Sequence, residues 1–97
     1  MDMNPVRDYK VMFYYAYVLQ NSKGRWYTGS TGDLRKRLKQ HNSGKSSSTK
    51  NKGPWTLIYY EACLNEQDAR SREEYLKSGM GKRYLKNRLR RFLSLTG

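Results

Sequence analysis

Apolar and polar positions change period several times along this chain, and each change marks an element. Phe13 to Leu19 is rich in aromatic and β-branched residues, which predicts a strand. Asn21-Ser22-Lys23-Gly24 is a turn signal, and Arg25 to Ser30 is then the returning strand of an antiparallel hairpin. Alternation sets Tyr15 and Tyr17 on one face of the first strand and Tyr14, Ala16 and Val18 on the other. A helix should begin near residues 31–33, where Thr31 or Asp33 can cap free backbone N–H groups. It should end near Gly44, which suits a left-handed C-terminal cap. Ser43 to Gly53 is rich in Ser, Lys, Asn and Gly and predicts a mobile loop. Trp55 to Cys63 reads as a third strand, with Trp55, Leu57 and Tyr59 alternating against Thr56, Ile58 and Tyr60. Asn65 caps a second helix, with Asp68 placed as in a capping box. Gly79-Met80-Gly81 should break that helix. A third runs from about Lys82 to Leu93 on an apolar stripe of Leu85, Leu89 and Phe92.

The predicted order β-β-α-β-α-α gives an α+β fold: a small antiparallel three-stranded sheet flanked by about three helices. With 97 residues, one domain is expected: a flexible lead-in over residues 1–10, then a single unit over 11–95. Such a domain buries roughly two-thirds of its unfolded surface, enough for one modest core.

Charge narrows the partners. Twenty Lys+Arg face eight Asp+Glu, for a formal charge of +12. So large an excess in so small a body repels itself and calls for a polyanion, with nucleic acid ahead of an anionic membrane surface. No run of 18 or more apolar residues could span a bilayer, and Met1-Asp2-Met3-Asn4-Pro5 has no apolar stretch of the signal-peptide kind. Cys63, the lone cysteine, excludes an internal disulfide and a cysteine-rich zinc site and reads as a small core residue. These features predict a cytoplasmic protein with no membrane partner, monomeric by default.

The helices carry polar residues on their inner faces. Leu34 and Leu38 define the stripe of the first helix; His41 falls between them on the helical wheel, and Arg37 lies at the edge. On the second helix Ala69 and Leu76 mark the stripe, with Glu73 between them and Glu74 turned away. An inward charge is expensive unless compensated, so Glu73 needs a partner: Arg37, His41, Arg72 or a metal ion.

Just ahead of these residues stand two tyrosine triplets, Tyr15-Ala16-Tyr17 and Tyr27-Thr28-Gly29. Two phenols, a guanidinium, an imidazole and a carboxylate in this order suit metal-assisted phosphodiester chemistry. The set resembles a GIY-YIG nuclease domain, the fold of homing endonucleases, some restriction enzymes and the incision subunit of nucleotide-excision DNA repair. The triplets match the two family triplets, with Tyr-Ala in place of Gly-Ile in the first and Thr28 in place of an aliphatic residue in the second. The family's helix arginine, ten residues after the second triplet's tyrosine, matches Arg37. The histidine four residues later matches His41, and the metal-binding glutamate matches Glu73. The resemblance runs from about Phe13 to Arg90 and is closest to small stand-alone members. Asn87 is the candidate for an asparagine that some members carry, although the wheel puts it on the solvent side.

The resemblance implies an endonuclease that hydrolyses DNA phosphodiester bonds with one divalent cation, Mg²⁺ or Mn²⁺, held by Glu73. A hard cation can activate water and stabilise phosphate charge, and Mg²⁺ is often held by one or two carboxylates. Arg37 would clamp non-bridging oxygens through parallel donors, which a lysine could not reproduce. The resemblance also implies that a tyrosine, Tyr27 or Tyr17, activates the water. A free phenol titrates at about 10, so that role needs help from the cation, Arg37 or another neighbour. His41 is either base or phosphate contact. Gly29 would let the backbone approach substrate or the facing helix, and Tyr15, Trp26 and Trp55 read as packing.

Arg35, Lys36 and Lys39 on the first helix, with Lys45, Lys50 and Lys52 in the loop, would track a nucleic-acid backbone. Contacts to six to ten phosphates would lose about 10³ to 10⁵ in affinity between about 50 and 200 mM salt. Nothing reads as a base-specific element, so selectivity should follow structure rather than sequence. The competing expectation is a non-catalytic module that binds DNA or RNA through the same basic surface and exposed aromatic rings.

Overall fold

A computed structural model describes residues 11–96; the lead-in expected over residues 1–10 lies outside the described residues. The chain order is β1 (Tyr14–Asn21), β2 (Trp26–Thr31), α1 (Leu34–Asn42), β3 (Trp55–Cys63), α2 (Glu66–Lys77), α3 (Gly79–Arg88) and α4 (Arg90–Thr96). The expected α+β architecture is present, with one short helix more than predicted. The three strands form one antiparallel sheet in the order β2-β1-β3.

Central β1 is covered on both faces. Ala16 and Val18 pack with Leu76 of α2 and Leu85 of α3, whereas Tyr17 and Leu19 pack with Trp55, Leu34 and Leu38 under α1. Alternation alone therefore serves two cores. Each buried aliphatic side chain contributes about 1.5–3 kcal/mol relative to exposure. Among the described residues no helix is long and apolar enough to cross a membrane.

The edges of α1 and α2 follow their caps. The Asp33 side chain accepts from the Lys36 N–H, and Asn65 Oδ1 accepts from those of Gln67 and Asp68. Gly44 adopts φ +78°, and the next N–H, of Lys45, bonds the Gln40 carbonyl at 3.0 Å, closing a Schellman-type end.

Three local expectations are corrected. The alternation in β3 breaks because the β1–β3 register slips between Val18 and Leu19: Val18 faces Tyr59 and Leu19 faces Leu57, leaving Ile58 as a bulge residue. Tyr59 consequently sits with Ile58 on the α2–α3 face. There its hydroxyl donates to Glu61 (2.9 Å) and meets Tyr84 (3.1 Å). Tyr60 turns to Tyr15, edge to face at 5.8 Å.

The glycines at 79–81 do not form a break. Ser78 ends α2 and caps α3, its Oγ accepting from the Gly81 N–H at 3.1 Å, so Gly79 opens the new helix. The predicted third helix is itself divided at Leu89, which caps α3 before α4 begins.

The predicted mobile loop is tied down. Asn21 donates to the Lys52 carbonyl (3.0 Å), and Trp55 Nε1 donates to that of Thr49 (3.2 Å). Asn42 bonds both the N–H and the carbonyl of Trp55. Ser46 and Thr49 are buried.

The two glycines of α3 should respond oppositely to alanine. A Cβ at Gly81 would collide with the Tyr75 carbonyl oxygen and lie 2.6 Å from Leu76 Cα, whereas one at Gly79 meets nothing within 4 Å. In urea denaturation, Gly81→Ala should lose roughly 1–3 kcal/mol or more as the α2–α3 contact is forced apart. Gly79→Ala should gain about 0.4–1 kcal/mol by restricting the unfolded chain.

Candidate active site at the exposed edge of the sheet

β2 is an edge strand, and it gathers polar side chains from both faces of the sheet. On the α1 face Tyr17 pairs across the ladder with Gly29. A Cβ on Gly29 would lie 2.6 Å from the Tyr17 hydroxyl oxygen, so the missing side chain is the space the phenol fills. The close approach expected at Gly29 is real, but what approaches is a tyrosine from the neighbouring strand, not the facing helix.

Tyr17 and His41 are almost wholly buried, at 1% and 2% exposure. Tyr17 Oη lies 2.8 Å from His41 Nε2, and His41 Nδ1 lies 2.7 Å from Thr49 Oγ1. The hydrogen-bond roles in this chain are coupled: a neutral imidazole has one N–H, so a Tyr17 hydroxyl that donates to Nε2 leaves Nδ1–H to donate to Thr49. Burial, opposed by the neighbouring Arg37, pushes the Tyr17 phenol up to about 12. Burial and then the Arg37 charge push the His41 imidazole below its usual 6.5. Both groups are neutral at pH 7.

Arg37 itself is half-buried. It donates to Gln40 Oε1 (2.9 Å) and Ser46 Oγ (3.3 Å) and forms no ion pair among the described residues. Tyr27 is also half-buried; its ring lies 4.8 Å from that of His41 and 6.5 Å from that of Tyr17.

Glu73 approaches from the opposite face. Its Oε1 accepts from Ser30 Oγ at 2.6 Å, and its Oε2 pairs with Lys77 Nζ at 2.7 Å. The partners expected for Glu73 are thus corrected: neither Arg37 nor His41 holds it, and Arg72 is taken by Glu61 through two bonds of 2.7 and 2.9 Å. Burial works against ionisation of Glu73, but the Lys77 and Ser30 hydrogen bonds outweigh it and keep the carboxyl below its usual range. Glu73 acts electrostatically on Tyr17, and Tyr27 on Lys77, across the edge strand β2.

The structure brings together Tyr17, Tyr27, Arg37, His41, Glu73 and Gly29. Asn87 does not join them: it is exposed on α3, with no hydrogen bond to the cluster. Arg35, Lys36, Lys39, Lys45, Lys50 and Lys52 are all exposed on α1 and the loop after it. Ser30, Ser46, Thr49 and Lys77 were missed. Of these only Lys77 carries a local signal, four residues after Glu73, where Glu-to-Lys pairs form on helices. The others depend on pairing distant in sequence.

Among the described residues no group of three or more His, Cys, Asp or Glu could hold a metal ion. A site built on Glu73 would therefore use one carboxylate. Its two hard, ionised oxygens fit Mg²⁺, which keeps several of its waters, provided Lys77 yields Oε2.

A small α+β domain with this cluster at its sheet edge corresponds to one known class of domain. The sequence model of the GIY-YIG catalytic domain matches residues 13–87, and the chain belongs to the GIY-YIG family. It is similar to UPF0213 protein CPE1444 of Clostridium perfringens, 42% identical over 64 residues that cover 65% of this chain and 69% of that protein. It is also similar to the UPF0213 protein in the ldhD 5′ region of Pediococcus acidilactici, 39% identical over 80 residues covering 76% and 82%. A solution NMR structure of UPF0213 protein BH0048 from Bacillus halodurans is 36% identical, covers 76% of this chain and 82% of that one, and superposes with a TM-score of 0.48.

Two measurements address the buried relay. Thr49→Val removes the hydrogen-bond partner of His41 Nδ1 and should destabilise the fold by about 1–3 kcal/mol, whereas Thr49→Ser retains it and should cost far less. Since His41 is the only histidine, its NMR titration is unambiguous and should have a midpoint below 6.5. The unfolded chain takes up this proton first as pH falls, so stability should be full above pH 6.5 and decline as pH drops below it. A midpoint at or above 6.5 would contradict the assignment.

Proposed function

We propose that the protein is a divalent-metal-dependent endonuclease that hydrolyses DNA phosphodiester bonds, selecting by structure rather than by base sequence. The observation that carries this is the meeting of Tyr17–His41, Tyr27, Arg37 and Glu73 around one sheet edge. Its accessible side is formed by Tyr27, Arg37 and Glu73, while Tyr17, His41 and Thr49 stand behind.

That division assigns roles. Arg37, with no carboxylate on it, receives the scissile phosphate through its fork of donors. Tyr27 is the phenol that can meet water, and it is the base we assign: it releases its own proton to solvent and, as phenolate, takes one from the attacking water. Tyr17 keeps its proton and instead fixes His41, against which the Tyr27 ring rests. One Mg²⁺ or Mn²⁺ at Glu73 would supply Lewis-acid stabilisation of phosphate charge. Ser30 holds the Glu73 carboxylate in place, and Lys77 neutralises it otherwise. The exposed cations of α1 and its following loop hold the nucleic-acid backbone.

One observation favours a second reading, a non-catalytic nucleic-acid-binding module: the Lys77 ammonium already satisfies Glu73. Metal separates the two. Plasmid, single-stranded and branched DNA should be cut with Mg²⁺ or Mn²⁺ and left intact in EDTA. Arg37→Ala and Glu73→Ala should each lower the rate by about 10² or more. If wild type cuts none of these substrates, or if both variants cut as well as wild type, the endonuclease assignment fails. Binding that is then unchanged in EDTA and in Glu73→Ala would establish the binding module.

A further inference from the structure

The basic surface expected from sequence lies on α1 and its loop, but a large open groove lies elsewhere, beside the β1–β2 turn and α3. An open groove of about 1040 Å³ is lined by Gln20, Lys23, Trp26, Lys86 and Arg90, among others. A smaller one of about 230 Å³ is lined by Trp26, Tyr27, Lys77 and Lys82, among others. Trp26 lines both, so the two adjoin at its side chain. The smaller reaches Lys77, the partner of Glu73, and Tyr27.

The charge along this path has one sign. Lys82, Lys86 and Arg90 succeed one another at four-residue spacing, which sets Lys82 and Lys86 on the same face of α3. Lys23 faces them from the β1–β2 turn. All four are exposed, and none forms an ion pair among the described residues. No Asp or Glu lines either cavity. Trp26 is held in position by its indole N–H, which donates to Gln20 Oε1 at 2.9 Å, and by packing against the α2–α3 core.

We infer that this groove holds a single-stranded tail of nucleic acid and leads it to the site at β2. A row of cations with no acid selects a polyanion. An aromatic ring along that row selects unpaired bases, since only a single strand offers a free base face for stacking. The path ends at Tyr27 and Lys77, so a tailed or branched substrate would enter with its junction near the proposed chemistry. This rests on the endonuclease assignment for its destination, but the groove's occupancy stands on its own observations.

The test is fluorescence anisotropy of the full chain in EDTA. The probes are a blunt duplex, the same duplex with a single-stranded tail, and the tail alone, each as DNA and as RNA. The tailed probes should bind more tightly than the blunt duplex, and the DNA and RNA arms show which tail is preferred. Lys86→Glu with Arg90→Glu should weaken tail binding and reduce the slope of log affinity against log salt by about two. Trp26→Leu should lose about fivefold or more, with Trp26→Phe restoring most of it; the exposed Lys86 and Arg90 changes remain informative if Trp26→Leu misfolds. Equal affinity for blunt and tailed probes, or a wild-type salt slope in the double variant, overturns the groove. If wild type cuts DNA while the double variant binds like wild type, the groove alone is lost. If the double variant fails to bind tails but wild type cuts nothing, the groove stands and the nuclease assignment falls.

Discussion

The contact on which the rest depends is the hydrogen bond between two buried side chains, Tyr17 and His41, at 2.8 Å. It joins the central strand to α1 at a point where neither residue meets water. Its geometry requires three further conditions. Gly29 must lack a side chain, because the phenol occupies that space. Thr49 must bond the second imidazole nitrogen, which draws the α1–β3 loop inward. Arg37 must stand beside both groups, where its charge disfavours imidazolium. A loop that composition marks as free is thereby ordered by the same hydrogen-bond chain that sets the site.

The consequence is a separation between support and exposure. Tyr17, His41 and Thr49 form a closed, neutral layer, and a fully satisfied buried polar chain of this kind specifies one arrangement rather than many. In front of it Tyr27 and Arg37 remain partly accessible, and Glu73 arrives from the opposite face of the sheet. β2 can be shared in this way only because it is an edge strand. The same edge leaves room for the groove past Trp26, so architecture, chemistry and the proposed path of the substrate meet on one strand.

Much of this was legible in the sequence, for identifiable reasons. Two-residue alternation placed Ala16 and Val18 opposite Tyr17, and helical periodicity turned Arg37, His41 and Glu73 inward without any family pattern. Those inferences need only local geometry. What escaped was non-local. The bulge at Ile58, which moves Tyr59 to the other face, arises from pairing between strands some forty residues apart. Ser30 is an ordinary strand serine until α2 lays Glu73 against it. Thr49 looks like loop composition until His41 needs an acceptor. The glycines at 79–81 look like a break because the close packing of Gly81 against Tyr75 and Leu76 is a tertiary fact. Lys77 could have been found, four residues from Glu73 on the same helix.

Whether Glu73 anchors a cation beside Tyr27 and Arg37 is read most directly from a crystal structure of the protein soaked in Mn²⁺, by anomalous scattering. One ion should be bonded to a Glu73 carboxylate oxygen, facing Tyr27 and Arg37, with the Lys77 ammonium displaced. Lys77 still on Glu73, with manganese elsewhere or nowhere at concentrations that support cleavage, would contradict this anchoring.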